Sequence, residues 1–239
     1  MRIAVVSDIH GNRTAFEAIL ADLRKTSPDL VFHGGDLTDS GSSPVEIVDH
    51  IRDLGWQGVV GNTDEMLFRP DSLTEFAKQS PRSESLFAVL GEMAEVTRGL
   101  LGSDRLAWLS RLPLMQKQSV MALVHASPES LWRAPAHTAA DADLRAVYGP
   151  LSCPVAVYAH IHRSYIRTIE GMVVANTGSV SLSYDGDPRA AYLLLDGSEP
   201  AIRRVEYDLD RELKELAVCS LPHSGWVAKM LASGSPQMP

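Results

Sequence analysis

Three short apolar runs in the first 64 residues each end in a turn carrying Asp, His or Asn, and helical patterns separate them. Ile3–Val6 stops at Ser7-Asp8-Ile9-His10, Leu30–Phe32 at His33-Gly34-Gly35-Asp36, and Gly58–Val60 at Gly61-Asn62-Thr63-Asp64. Between the first two runs, Phe16, Ile19, Leu20 and Leu23 recur at helical spacing until Pro28 breaks it. Between the second and third, Ser43-Pro44 opens a helix with Val45, Ile47, Val48 and Ile51 as apolar positions. Strand, helix, strand, helix, strand argues for a parallel sheet with crossover helices, since parallel neighbours cannot be joined by a tight turn. In such a sheet ligands bind outside the carboxyl ends of the strands. Asp8, His10, Asp36 and Asn62 are thereby directed to one edge.

The rest of the chain changes character twice. Residues 65–117 have helical periodicity with breaks at Gly99 and Gly102, and a short apolar face at Leu106–Leu112 that includes Trp108. Strand patterns resume at 119–124, 155–158, 172–175, 190–195 and 202–207. The last two flank Asp196-Gly197-Ser198, a turn that suits an antiparallel pair. The organisation expected is one domain over 1–208, with 65–117 as a helical insert near the cleft. A tail over 209–239 carries amphipathic pieces at 209–218 and 224–232, packed on the domain, free, or serving a homodimer. Its polar Ser-Gly-Ser-Pro-Gln end is expected to fray.

Bulk properties exclude some functions. With 239 residues, 45% of them hydrophobic, the chain can bury a core without disulfides. A net charge of -8 disfavours a broad grip on nucleic acid, which depends on Lys and Arg neutralising phosphates. Small anionic substrates remain open, because bound cations invert the potential of an acidic site. Cys153 and Cys219 are far apart and form no C-x-x-C pair, so two free thiols in a reducing cytoplasm are expected. The N-terminus enters a strand at once without a basic-then-apolar leader, and no apolar run reaches the roughly 18 residues of a bilayer span. The expected location is cytoplasmic, with no membrane partner.

The second half adds three imidazoles to the same edge. His125 follows the strand 119–124, and His160-Ile161-His162 follows 155–158, its two histidines at i and i+2 on one side of an extended exit. Each fragment alone has a duller role. Asp8 can cap the following helix, Asp36 and Asn62 can serve turns, and a lone His125 can be a packed, hydrogen-bonded histidine. Seven such groups at strand ends, however, point together to metal. Imidazole, carboxylate and one amide oxygen, without thiolate, suit Mn, Fe, Zn, Ni or Co rather than a closed structural zinc site. Seven donors exceed one ion's needs and fit two ions that share a carboxylate. A pair of ions about 3.5–4 Å apart can clamp the attacking and leaving oxygens of an in-line displacement at phosphorus.

With these residues in view, the sequence resembles the calcineurin-like metallophosphoesterase superfamily, and most resembles its small bacterial and archaeal phosphodiesterase-like members. The resemblance rests on Ser7-Asp8-Ile9-His10-Gly11-Asn12, Gly34-Gly35-Asp36, Gly61-Asn62-Thr63-Asp64, Val124-His125-Ala126-Ser127-Pro128 and Ala159-His160-Ile161-His162. Asn176-Thr177-Gly178-Ser179-Val180 and Asp185-Gly186-Asp187-Pro188-Arg189-Ala190 extend it. It runs in order through residues 1–208 and is specific as a combination. It implies an α/β (α+β) architecture, a four-layer αββα sandwich of two face-to-face mixed sheets. It implies two divalent transition-metal ions, manganese first among them. Asp8, His10, Asp36 and His162 would hold one, and Asp36, Asn62, His125 and His160 the other. Asp36 and Asn62 are then catalytic, Asp64 supports them, and Asn176 and Ser179 lie beside the site as substrate-binding groups. The implied activity is hydrolysis of a phosphodiester, or a monoester, by in-line attack of a hydroxide that bridges the ions.

Two positions depart from the family's pattern. Thr63 stands where many members have a histidine that contacts the phosphate and protonates the leaving oxygen. Threonine cannot supply that proton near neutral pH, so a contribution of about 10²–10⁴-fold is missing and Asp64 keeps only a hydrogen-bonding role. Substrates with good leaving groups should be favoured. Ala159 replaces a common glycine at little consequence. His33 and His137 are replacement acids by residue type alone, and Trp132 with Arg133 are candidates for the cleft wall. The rival readings are a non-catalytic metal-binding interaction module on the same fold, a nuclease, and a monoesterase like the serine/threonine phosphatases. All seven ligands being present speaks against the first, and the acidic balance against the second.

Overall fold

The computed structural model describes residues 1–79, 83–118 and 120–239. Ser80, Pro81 and Arg82 of the expected helical insert lie outside the described residues, as does Ser119, where a strand was expected to begin.

The N-terminal half forms β1 (Arg2–Val6), α1 (Arg13–Thr26), β2 (Leu30–His33), α2 (Pro44–Leu54) and β3 (Gln57–Gly58). Asn12 starts α1 by accepting the Ala15 amide at 2.9 Å, so the cap is Asn12 and not Asp8. Pro44 opens α2, and Gly55 closes it in the left-handed region. β1 pairs in parallel with β2, and β2 with β3. The third strand is shorter than its Gly58–Val60 pattern suggests, because the Val60 amide bonds the Pro113 carbonyl instead of continuing the ladder.

The expected insert is α3 (Asn62–Phe68), α4 (Asp71–Ala77) and α5 (Glu84–Leu109). Gly102 kinks α5 with φ 67 and ψ 172, while Gly99 stays helical. The insert ends earlier than residue 117. β4 (Met115–Gln118) already belongs to the second sheet, antiparallel to β5 (Met121–Val124). There follow α6 (Asp141–Tyr148), β6 (Val155–Tyr158), β7 (Tyr165–Ile169), β8 (Met172–Asn176), β9 (Ala190–Asp196), β10 (Glu199–Val205), α7 (Leu209–Val218) and α8 (Ser224–Ser233).

The strands make two mixed five-stranded sheets, ordered β10-β9-β1-β2-β3 and β4-β5-β6-β8-β7. β1 shows why they stack. Its residues from Ile3 to Val6 are all fully buried, with no polar alternation. Ile3 and Val5 face the other sheet, in a core with Leu123, Val155, Val157 and Leu193. Ala4 and Val6 face the opposite way, onto Phe16 and Ile19 of α1 and Ile47 of α2. On the second sheet Ala122, Val124 and Tyr158 pack outward against Leu144 and Tyr148 of α6. Helix, sheet, sheet, helix is the resulting four-layer αββα sandwich.

The tail is docked. Leu216, Val227, Met230 and Leu231 pack with Met93 of α5 and Leu182, and buried Glu212 accepts the Ser42 hydroxyl at 2.9 Å. Beyond α8 the chain does not run free. Gly234 turns it with φ 59, the Gly234 carbonyl accepts the Gly186 amide at 2.9 Å, and Trp226 Nε1 donates to the Gln237 carbonyl at 2.9 Å. Among the described residues no helix is long and apolar enough to cross a membrane.

Candidate metal centre

The exits of β1, β2, β5 and β6 and the N-terminus of α3 meet at one end of the sandwich. Asp8, His10, Asp36 and His162 bring one ligand atom each within 4.8 Å of one another, and so do Asp36, His125 and His160. Asn62 joins the second group, its Oδ1 lying 2.9 Å from His125 Nε2 and 2.8 Å from His160 Nδ1. Asp36 belongs to both groups and faces them with different oxygens. Oδ2 is 3.8 Å from His10 Nε2, and Oδ1 is 3.4 Å from His125 Nε2.

The imidazole tautomers decide what these atoms can do. His10 Nδ1 lies 2.8 Å from the Asp39 carbonyl, His162 Nδ1 2.7 Å from the Leu182 carbonyl, and His125 Nδ1 2.8 Å from the Gly34 carbonyl. A carbonyl oxygen only accepts, so each of these nitrogens carries a proton, and in the neutral ring that a metal requires each Nε2 presents its lone pair. The lone pairs of His10 and His162 then face each other across 3.2 Å. That of His125 faces the Asn62 oxygen, itself an acceptor. Acceptors converging in a buried place repel one another unless a proton or a cation sits between them. The donor set therefore fits metal ions.

Backbone geometry carries the same message. Asp8, His10, Asp36, His160 and His162 have φ of 53, 48, 52, 67 and 55°, the left-handed region that residues with side chains avoid. The chain reverses sharply where each strand ends, and a glycine there would remove the side chain that brings a candidate ligand atom into the cluster. Neighbouring glycines supply room instead. A Cβ on Gly61 would overlap the Asp36 carboxylate.

The first 199 residues match the family model of the calcineurin-like phosphoesterase superfamily domain. The chain belongs to that superfamily. The uncharacterized protein MJ0912 of Methanocaldococcus jannaschii is 28% identical, over 97% of this chain and 98% of its own. Among solved structures, a metallophosphoesterase from Sphaerobacter thermophilus is 26% identical with a TM-score of 0.78, covering 98% of this chain and 99% of that one. The hypothetical protein PH1004 from Pyrococcus horikoshii OT3 shares the fold, at 18% identity, a TM-score of 0.84 and 99% coverage of both chains.

Within this superfamily fold the buried carboxylates favour positive charge beside them, and without an ion a proton on His125 supplies part of it. Burial opposes ionisation of Asp8 and Asp36, yet His162 holds Asp8 low, and His125 with His10 holds Asp36 low. Burial would lower His125 as well, but the Asp36 carboxylate raises it to about 9. His160 is pushed down to about 4 by burial and by His125 beside it. His10 is lowered by burial, with Asp36 pulling the other way. Asp36 also accepts the Thr63 amide at 2.9 Å, at the N-terminus of α3.

The other sequence candidates fall in several places. Asp64 is fully buried and ties two loops, Oδ1 accepting the Leu37 amide at 2.9 Å and Oδ2 the Gly61 amide at 3.2 Å. Asn176 and Ser179 are also fully buried and do not line the cavity over the site. Asn176 donates to the Ala159 carbonyl at 2.6 Å and accepts the Gly178 amide at 3.0 Å. Ser179 donates to the Asp8 carbonyl at 2.9 Å and accepts the Ser181 amide. They hold the backbone beside His160 and at Asp8, and their polar atoms are spent on that rather than on a substrate. His33 is buried, lowered to about 3 by burial, and packs 6.2 Å from Trp108. It does not line the cavity, and neither does His137. Trp132 stacks on Phe76 and donates to Glu65, and Arg133 lies over the same Phe76, so both are away from the metal cluster.

Sequence reasoning missed Asp39, whose carbonyl orients His10 and whose own carboxyl burial pushes up to about 7. It also missed Tyr184, stacked on His162 at 4.6 Å, and the cavity of about 450 Å³ over the ligands. A second aspartate three residues after Asp36 is the one signal that could have shown Asp39.

Proposed function

We propose that this protein is a dinuclear-metal phosphoesterase that hydrolyses a phosphodiester in preference to a monoester. The observation that carries this reading is the pair of ligand groups sharing Asp36, with imidazole lone pairs turned inward by backbone carbonyls. Asp8, His10, Asp36 and His162 would hold one divalent ion, and Asp36, Asn62, His125 and His160 the other. Divalent ions at such a site lower the pKa of water and polarise phosphoryl oxygens. Manganese is the first choice, and Fe, Ni, Zn or Co also suit these donors. Two free thiols accord with a cytoplasmic location.

The chain's own groups set what the site lacks. Thr63 lines the cavity, its hydroxyl buried without a partner. It can donate a hydrogen bond to a phosphoryl oxygen but cannot protonate a leaving alkoxide near neutral pH. Esters with stable leaving groups are therefore the better substrates. Thr63→His should raise turnover of poor-leaving-group esters, up to about 10²-fold. An unchanged rate would show that more than an acid is missing there.

The deciding test strips the protein and reloads it with Mn, Ni, Zn or Fe. Hydrolysis of bis-p-nitrophenyl phosphate is then compared with that of p-nitrophenyl phosphate. Diester cleavage restored by metal is the expected result. Two bound ions with neither ester cleaved would leave a metal-binding module, and failure to bind any ion would remove the reading altogether.

A further inference from the structure

The cavity over the ligands has two unlike sides. Its floor is polar, formed by His10, Asp36, Asn62, Thr63, His160 and His162. Its wall is apolar and comes from three separate stretches: Leu86 and Leu90 of α5, Tyr184 of the loop before β9, and Trp226, Met230 and Met238 of the tail. Lysine and arginine are missing from the described lining. A pocket for a bare, highly charged phosphate would be expected to surround it with cations. This one offers metal-ligand chemistry on one side and carbon on the other.

The wall is a built feature. α8 is seated on α5 by Met93, Val227 and Met230. Gly234 then turns the chain back, the Gly186 amide pins the turn, and the Trp226 indole holds the Gln237 carbonyl. That return places Met238, 63% exposed, at the cavity mouth. Apolar side chains kept facing a wet pocket forgo burial, a cost that an apolar ligand removes. A volume of about 450 Å³ lies within the roughly 300–1,000 Å³ range of small-molecule sites. It suits a phosphate with one ring-sized group, not a polymer.

We infer that the C-terminal arm, α8 with residues 234–238, is a specificity wall that selects phosphoesters bearing an apolar, ring-sized substituent. The substituent lies against Trp226, Leu86 and Leu90 while its phosphate sits over the ligand cluster. This rests on the phosphoesterase reading above, and the test separates the two.

The metal-loaded full chain is given phenyl p-nitrophenyl phosphate and methyl p-nitrophenyl phosphate, which release the same p-nitrophenolate and differ in the group retained. The phenyl ester should be preferred in kcat/KM by roughly ten-fold or more. Trp226→Ala and Leu86→Gln, placed on different helices, should each bring the ratio toward one. Deletion of residues 236–239 is a third variant, which removes the mouth and leaves α8. Binding of phenylphosphonate against methylphosphonate, measured by calorimetry, gives the same comparison without turnover. Equal treatment of the two esters overturns the wall and leaves the hydrolase. A preference that survives both substitutions overturns it too. If neither ester is cleaved while phenylphosphonate still binds tighter and loses that advantage in Trp226→Ala, the wall stands and the hydrolase reading falls. If neither phosphonate binds and neither ester is cleaved, both fall.

Discussion

On the floor of the cavity His10, Asp36, His160 and His162, with Asp8 buried beneath them, hold left-handed backbone, at a cost of about 1–3 kcal/mol each. On the wall Leu86, Leu90, Trp226 and Met230 sit on regular stretches of α5 and α8. The floor is polar, over-determined by hydrogen bonds, and stores strain. The wall is apolar, unstrained, and held mostly by packing. The floor's arrangement is held by the hydrogen bonds that over-determine it, and an ion bound to the folded state would offset the strain further by linkage. The wall carries no such backbone strain, and its cost is the apolar surface left wet, which an apolar ligand removes. The difference teaches where this molecule can change: its chemistry is confined to a few backbone positions, whereas substrate choice rests on side chains that packing tolerates in variety.

The largest effect should come from Asp36→Asn, which removes the charge facing both ligand groups. Hydrolysis should fall below detection and the ions bound per chain, counted by mass spectrometry, should drop. Full activity would refute the shared-ligand geometry. Next is Gly61→Ala. The new methyl strikes the Asp36 carboxylate, so the melting transition should report a loss of about 1–3 kcal/mol along with weakened metal binding. Unchanged metal affinity would show that Asp36 has room to move. Asn176→Ala should be milder. It frees the Ala159 carbonyl beside His160, and lost positioning of this kind lowers metal affinity by about 10–100-fold, read by competition with a chelator. An unaltered affinity would break the claim that Asn176 acts through the ligand loop.

The smallest effect belongs near the arm. Hydrogen bonding from Arg189 lowers the Asp187 carboxyl to about 2, in the loop whose Gly186 amide pins Gly234. A depressed carboxylate adds stability that is present above its ordinary pKa and is lost as pH falls through the folded value. Arg189→Ala should therefore lower the urea midpoint only slightly at pH 7, given the exposure of the pair. That cost should vanish between about pH 4 and pH 2. Urea unfolding across that range checks it. A large cost would mean that charge, not packing, holds the arm.

Legibility in the sequence followed the same divide. The floor could be read because its residues are rare types at the ends of apolar runs. Parallel-sheet geometry then brings Asp8, Asp36, His125 and His160 to one edge without further information. What orients them could not be read. Three imidazoles are set by the carbonyls of Gly34, Asp39 and Leu182, and a backbone carbonyl has no residue signature. Two of the four edge strands, β4 and β7, were invisible for a related reason. β4 reads Met-Gln-Lys-Gln, and such a segment becomes a strand only by pairing with β5. α6 escaped as well, because its eight residues start with no side-chain cap. The tail helices were legible from periodicity, but their place over the site was not. Amphipathicity says that a face will be buried and is silent on what buries it.

By itself, then, the sequence pointed through local pattern and strand-end placement to a parallel sheet and seven candidate ligands, while the superfamily and its two-sheet core followed from the resemblance of its motifs. Tertiary structure alone decided the tautomers, the left-handed backbone at five candidate ligands, the backbone hydrogen bonds of Asn176 and Ser179, and the apolar arm at the cavity mouth. Each of those depends on which distant groups come within a few ångströms, and only the packed chain specifies that.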